Sequence, residues 1–364
     1  MKKFKKPFVF SLIYSLFLIL LSAAVLLDVF VIPKEIAPSG DGGIVSADIK
    51  FTFGEIEDVP VEDTTRDDNS ISDKPIESTE NSDSGIDNYT EYDTTVPAMT
   101  DSEIVTTGSP DTEPEITLPV ISDTEYRDDN IRITLDTIRL HDTQIYVADI
   151  YLSSAEYFKT AIAKNKFGTN INDKTSTIAK ENGAILAING DYYGANKKGY
   201  VIKNGILYRE SIRSDYEYDD LGVMFDGSFK VFNEKDISAK DLLNSGVYQL
   251  FGFGPVLVSE FEICVKPGEE VGVAMASNPR TAIGIIDELH YVFVVSDGRT
   301  KESKGLSLMQ LAELMKEIGC KTAYNLDGGG SSTMYFNGRV VNKPVNRGST
   351  ISERWVSDIV YIGY

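Results

Sequence analysis

Asn325-Leu326-Asp327-Gly328-Gly329-Gly330-Ser331-Ser332-Thr333-Met334 is the stretch on which the fold turns. A short apolar run, Thr322-Ala323-Tyr324, precedes it, and Met334-Tyr335-Phe336 follows. The pattern predicts a strand, a tight turn and a second strand. Three adjacent glycines bring no side chains to a core. Glycine stands where the backbone takes positive φ or approaches another group closely. Successive N–H groups in such a turn form an anion-binding concavity. Asp327, Ser331 and Ser332 would border it with a carboxylate and two hydroxyls. A plain hairpin capped by serines is the alternative, and the rest of the chain decides between them.

Upstream, Leu308, Leu311, Ala312, Leu314, Met315 and Ile318 share one helical face, so Leu306 to Ile318 is a helix stopped by Gly319. Thr281 to Ile286 and Tyr291 to Val295 are apolar runs joined through a turn at Asp287-Glu288. Ala184 to Ile188 is wholly apolar and short, as a central strand is. Ile131-Arg132-Ile133-Thr134-Leu135 alternates like a half-buried strand, and Gln144 to Leu152 is another. Helices are expected at Ser153 to about Lys164, at Thr175 to Asn182 and at 238–244. The run from Trp355 to Ile362 closes the chain as a core strand. The expected class is α+β: mixed or antiparallel sheets of many short strands with a few packing helices, and no regular βαβ alternation.

The N-terminal third is different. Lys2, Lys3, Lys5 and Lys6 precede an uncharged run from Phe8 to Leu27, about the ~20 residues needed to cross a bilayer. Lysines on that side predict a cytoplasmic N-terminus and an external body, hence a single-pass protein of the cell membrane. More apolar chain follows Ser22-Ala23-Ala24, so residues 1–36 read as an uncleaved anchor rather than a signal peptide. Residues 37–126 are rich in Asp, Glu, Ser, Thr and Pro. Within them, residues 51–120 hold 19 of the 56 acidic residues against Arg66 and Lys74. Such a composition predicts a disordered, extended acidic stalk. Ile49 to Phe53 alternates weakly as a strand. Residues 127–364 are the expected body.

The formal net charge of −21 therefore sits mostly in one segment, and no basic face for nucleic acid is present. Two Cys and two His, without CxxC, argue against a thiolate or histidine zinc site. Cys264 and Cys320 are either a pair formed in an oxidising compartment or buried free thiols. His141 and His290 lie beside strands and read as structural.

Four loops at strand ends repeat one theme. They are Asn189-Gly190-Asp191-Tyr192-Tyr193-Gly194, Asn278-Pro279-Arg280-Thr281, Ser296-Asp297-Gly298-Arg299, and the glycine turn at Asp327. Each joins a carboxylate or a guanidinium to a turn-forming residue. Loops held by a rigid sheet are where function concentrates. Arg280 precedes a buried strand, where an ion-pair role competes with a functional one, and Asp297-Gly298 is also a common turn dipeptide. Ser331 has no G-x-S-x-G elbow around it. Arg354 and Ser357, beside the closing strand, can face the same pocket.

These loops, with Phe253-Gly254-Pro255 between them, resemble the phosphodiester glycosidase family in residue type and order over roughly 130–364. The resemblance implies hydrolysis of a sugar-1-phosphodiester, with a phosphate-linked glycan as partner, no organic cofactor, and a divalent metal left open. It implies catalytic roles for Asp327, Asp191, Arg280 and Asp297. It implies substrate binding by Asn189, Gly190, Arg299, Asn325, Gly328, Gly329, Gly330, Ser331 and Ser332. Guanidinium forks suit phosphate oxygens, and glycoside hydrolysis commonly uses two carboxylates. Two rival readings are a non-catalytic envelope-glycan binding module and a metal-dependent phosphodiesterase cleaving P–O.

Overall fold

A computed structural model describes residues 6–39, 118–213, 218–271, 277–347 and 350–364. The expected strand at Ile49 to Phe53 and most of the expected stalk lie outside the described residues.

The body is built from antiparallel sheets. The largest has nine strands, in spatial order Glu262–Ile263, Val256–Ser259, Thr322–Asn325, Arg280–Asp287, His290–Ser296, Thr143–Leu152, Ile131–Leu140, Glu125–Arg127 and Val120–Ile121. A five-stranded sheet runs Arg339–Val340, Met334–Phe336, Leu186–Asn189, Asp358–Ile362 and Phe158–Ile162. The central position expected for the 184–188 run is thus met by Leu186–Asn189. Val120–Ile121, inside the stretch read as stalk, and Glu125–Arg127, across its end, are strands of the main sheet.

Side-chain alternation explains the layering, because successive residues of a strand face opposite sides. On His290–Ser296, Tyr291, Phe293 and Val295 join the core between the two sheets, with Leu186, Ile188, Phe336 and Val360. Val292 and Val294 face the other way, against Leu308, Leu311, Ala312 and Met315. That strand is apolar throughout because both faces are covered. The helix Leu308–Ile318 starts on Ser307, whose hydroxyl accepts the Gln310 N–H in a capping box, and ends on Gly319 at φ 99°. Behind the five-stranded sheet, Ile178 and Ala179 of the helix Thr175–Glu181 pack on Ala187, Ile359 and Tyr361. The order of layers is helix, sheet, sheet, helix. A third sheet, Phe229–Phe232, Asp220–Met224 and Val247–Phe251, carries the helix Ala239–Asn244.

Two local expectations fail. Ser154 does cap, accepting the Glu156 N–H, but only a single 3₁₀ turn, Ala155–Tyr157, follows. Phe158–Ile162 is instead a strand on Asp358–Ile362, which buries Phe158 and Ala161. Trp355 is 58% exposed rather than core. The closing run breaks at Ser357: Trp355–Val356 pairs with Asp173–Lys174, and only Asp358–Ile362 enters the five-stranded sheet.

The expected apolar span is helical, Lys6–Phe30, with exposed side chains from Tyr14 to Asp28. Among the described residues no helix is long and apolar enough to cross a membrane. The chain beyond this helix docks on the body before the acidic segment begins. Lys34–Glu35 pairs antiparallel with Gly168–Thr169, and the Ile36 N–H donates to the Phe167 carbonyl at 2.8 Å.

Candidate active site

The fold brings three of the four loops into direct contact. The Asn189 side-chain amide donates to the Asp327 carbonyl at 2.6 Å, and its Oδ1 accepts the Thr281 hydroxyl at 2.9 Å. The Asp327 N–H reaches the Gly190 carbonyl at 3.3 Å. Asn325 is braced from behind, its amide donating to the Gly254 carbonyl at 2.7 Å. This is the role of the Phe253-Gly254-Pro255 motif. The fourth loop joins through Asn342, whose amide donates to the Ser332 carbonyl at 3.0 Å and to Asp297 Oδ1 at 3.4 Å.

The glycine turn is a 3₁₀ turn, Gly329–Ser331, with Gly329 at φ 64°. Its N–H groups are largely consumed within the protein. The Gly329 N–H donates to the Pro279 carbonyl at 2.8 Å, and the Ser331 and Ser332 N–H groups bond back to Gly328 and Gly329. The turn is therefore an anchor more than an anion nest, and capture of an anion passes to nearby guanidinium groups.

Two guanidinium groups stand there. Arg354 donates from Nε to the Ser331 hydroxyl at 2.7 Å and from Nη2 to Asp327 Oδ2. Its side chain is 36% exposed, and its Nη1 carries no hydrogen bond among the described residues. The Arg299 guanidinium lies against Gly329, so close that a Cβ there would stand 2.8 Å from Nη2. It donates to Asn278 Oδ1 at 3.1 Å, and its residue is exposed. Tyr192 completes the rim. It is 41% exposed at φ 67°, with the Arg354 guanidinium 5.6 Å from its ring centre. A left-handed backbone at an aromatic residue costs about 1–2 kcal/mol and is the kind of strain found at working sites. Tyr193, next to it, is core.

Asp327 is the carboxylate nearest this surface. Burial pushes its carboxyl above the ordinary range, and Arg354, Ser331 and the Gly328 N–H pull it back part of the way. Asn325 Oδ1 and Ser332 Oγ are buried with no hydrogen-bond partner among the described residues.

The other expected catalytic residues are placed differently. The Asp191 carboxylate is 2% exposed, accepts N–H bonds from Gly252 at 3.0 Å and Tyr193 at 3.2 Å, and pairs with Lys203 at 3.2 Å. Asp297 accepts the Lys343 N–H at 2.8 Å and is held above the ordinary carboxyl range by burial. Through these bonds both carboxylates hold loops of the site. Arg280 is 3% exposed; its guanidinium bonds Glu270 and donates from Nε to the Leu306 carbonyl at 3.0 Å. The ion-pair role considered for it is the one observed. Arg280→Ala would strand Glu270 beside the helix Leu308–Ile318 and is expected to cost about 3 kcal/mol of stability. A urea titration showing an unchanged midpoint would contradict that role.

Two buried charged residues beside these loops had no reading from sequence, Lys203 and Asp358. Lys203 Nζ sits 3.0 Å from Asp358 Oδ2, both side chains at most 2% exposed. The Asp358 carboxyl lies where a Cβ on Gly190 would stand, 2.3 Å away, so glycine is required there. Lys203 ends the run Val201-Ile202-Lys203, and Asp358 opens the closing apolar strand. A lone charge inside an apolar run was the available signal.

Among the described residues no group of three His, Cys, Asp or Glu side chains is placed to hold a metal ion. Both cysteines are free, Cys264 exposed and Cys320 buried. His290 is structural, 2.6 Å from Asp149 and stacked on Tyr151. A cavity of about 290 Å³, lined by Phe229, Ile285, Asp287, Leu289, Lys321 and Thr322, lies at the opposite end of the Arg280–Asp287 strand from the glycine turn.

The phosphodiester glycosidase family model matches residues 182–363, half of the chain. The chain belongs to the phosphodiester glycosidase family. Mouse N-acetylglucosamine-1-phosphodiester alpha-N-acetylglucosaminidase is 28% identical over 176 residues, covering 44% of this chain and 34% of that protein. The SPbeta prophage-derived uncharacterized protein YomE of Bacillus subtilis is 30% identical over 201 residues, covering 54% and 31%. The chain thus spans about a third of the length of the curated relatives it matches. The pro-peptide-inhibited catalytic domain of the zebrafish N-acetylglucosamine-1-phosphodiester alpha-N-acetylglucosaminidase superposes with a TM-score of 0.53. At 22% identity, over 64% of this chain and 83% of that one, this likeness establishes the fold. The family's match ends at residue 363 and so takes in Asp327, Arg299, Arg354, Lys203 and Asp358.

Proposed function

We propose that this phosphodiester glycosidase hydrolyses a sugar-1-phosphodiester of a cell-envelope glycan, breaking the bond between the anomeric carbon and the phosphate oxygen. One observation carries the reading: Asp327 is paired with Arg354, and the exposed Arg299 lies against Gly329 of the same turn. A phosphodiester keeps its negative charge at every working pH. The partly exposed Arg354 guanidinium and the open side of Arg299 suit its two non-bridging oxygens. The phosphate is an acidic leaving group and needs little protonation. The remaining demand is stabilisation of positive charge growing at the sugar, which the Asp327 carboxylate meets. Tyr192 offers an aromatic face to the ring.

Incubating the full chain with an alkyl N-acetylglucosamine-1-phosphodiester tests this. The expected products are free sugar and an alkyl phosphomonoester. Release of sugar phosphate instead would contradict it. The Phe8–Leu27 run, with lysines before it, supports a single-pass anchor with the body outside the cell. The full chain should then stay with membranes through an alkaline wash, and its release into the wash would count against the anchor.

A further inference from the structure

Beneath the candidate site lies a cluster of three ionisable side chains, Asp191, Lys203 and Asp358, each at most 2% exposed. The Lys203 ammonium lies between the two carboxyl groups and 4.4 Å from the centre of the Phe251 ring. Asp191 has its two further N–H donors, from Gly252 and Tyr193. Asp358 has the Lys203 ion pair and lies against Asp191, with no backbone N–H donor to its carboxyl among the described residues. Arg209 and Arg213 also act on the Asp191 charge, whereas Asp358 has Lys203 alone as its cation and is the less compensated carboxyl. Uncompensated charge in a dry interior is strongly disfavoured.

The cluster is tied to the site by backbone. The Asp358 carboxyl abuts Gly190, and the Gly190 N–H donates to the Asp358 carbonyl at 2.9 Å. The Gly190 carbonyl in turn accepts the Asp327 N–H, and Asn189 holds the Asp327 carbonyl. One residue therefore separates the cluster from the residue argued to meet the sugar.

We propose that Lys203 and Asp358 are positioning residues for the reaction at Asp327: the buried Asp191–Lys203–Asp358 cluster sets the Asn189–Asp191 loop in its working position while Asp358 holds a proton, and releases it when that proton is lost. This rests on the hydrolytic reading above. Loss of the proton places a negative charge on Asp358 against Gly190, beneath a site that must accept an anion. The groups facing Asp358 are Lys203, Asp191 and the buried Tyr193 hydroxyl. Burial and the Asp191 charge raise the Asp358 carboxyl to about 7 against the opposing Lys203. Lys203 and the Gly252 N–H outweigh burial at Asp191 and keep it ionised.

The test compares full-length wild type with Asp358→Asn, an uncharged near-isostere, in two readouts. The first is hydrolysis of the alkyl N-acetylglucosamine-1-phosphodiester from pH 5.5 to 8.5. Wild-type kcat/KM should fall about tenfold for each pH unit above the titration, mainly through KM, and D358N should lose that limb. The second is thermal stability against pH, which needs no substrate. A carboxyl whose value is raised on folding stabilises the fold below its unfolded value of 3.8 and loses that contribution as pH rises to about 7. Asp191, lowered on folding, stays ionised across that window and adds no slope. Wild-type Tm should therefore fall between about pH 4 and 7 relative to D358N. Active D358N with the wild-type alkaline limb overturns the positioning role and leaves the hydrolytic reading standing. A wild type that releases no sugar at any pH overturns the reaction and the proposal together, even where the Tm curves differ as expected.

Discussion

Asp327→Asn is expected to lower kcat/KM on a sugar-1-phosphodiester by about 10³-fold, roughly 4 kcal/mol of transition-state stabilisation. The substitution keeps shape and volume, so Ser331 and the Gly328 N–H retain a polar neighbour. It removes the one negative charge at the glycine turn, where positive charge develops on the sugar. In a partly desolvated site such a charge acts far more strongly than in water. Thermal stability should change little, because burial already disfavours the ionised Asp327 that Asn replaces. The same burial gives the pH profile its acid limb. The working form is the carboxylate and its titration is raised, so the rate should fall as pH drops through it. With Asp358 supplying the alkaline limb, the profile is a bell. A D327N enzyme within a few-fold of wild type, with correct folding shown by circular dichroism, would remove Asp327 from the reaction.

Lys203→Met is the substitution expected to cost the most stability, about 3–5 kcal/mol. Methionine fits the aliphatic path against Phe251 but leaves two carboxyl groups facing each other, both at most 2% exposed. Burial, which Lys203 outweighs for Asp191 in the native protein, would then push both toward the protonated form. For a body of this size, the loss corresponds to a fall in Tm of roughly 10 °C. Adding Asp358→Asn should return part of it, because one of the two facing carboxyl groups is gone. The pair should be non-additive by more than about 0.5 kcal/mol, as contacting residues are. Additive losses in a double-mutant cycle would mean that Lys203 and Asp358 do not share one electrostatic cluster.

The parts legible in sequence were those governed by local rules. The 308–318 helix declared itself by its apolar face and its terminal glycine, though its Ser307 cap emerged only in the structure. The 280–287 and 290–296 hairpin declared itself by two apolar runs around a polar turn. The glycine turn pointed to Asp327, and its backbone accounts for why Gly328 and Gly329 cannot carry side chains: Pro279 and the Arg299 guanidinium lie against them. What local rules missed was decided by tertiary partners. Ser154 capped a turn, but pairing with Asp358–Ile362 drew Phe158–Ile162 into a strand. Trp355 sits before a break in the closing run, so its ring stays outside. Arg280 and Asp191 carry the residue types of a phosphate and sugar site, yet each is held in an ion pair with a residue 10 or 12 positions away, Glu270 or Lys203, with no sequence signal linking them. No spacing rule links positions 191, 203 and 358. The sheet that brings them together had to be seen first.

The most direct test of the central claim is which bond breaks. Hydrolysis of the alkyl N-acetylglucosamine-1-phosphodiester in ¹⁸O-labelled water, followed by mass spectrometry of both products, reads this without assumption about individual residues. Attack at the anomeric carbon, as proposed for Asp327, Arg299 and Arg354, puts the label in the free sugar and leaves the phosphomonoester unlabelled. Label in the phosphate would mean P–O cleavage and would contradict a glycosidase reaction at this site.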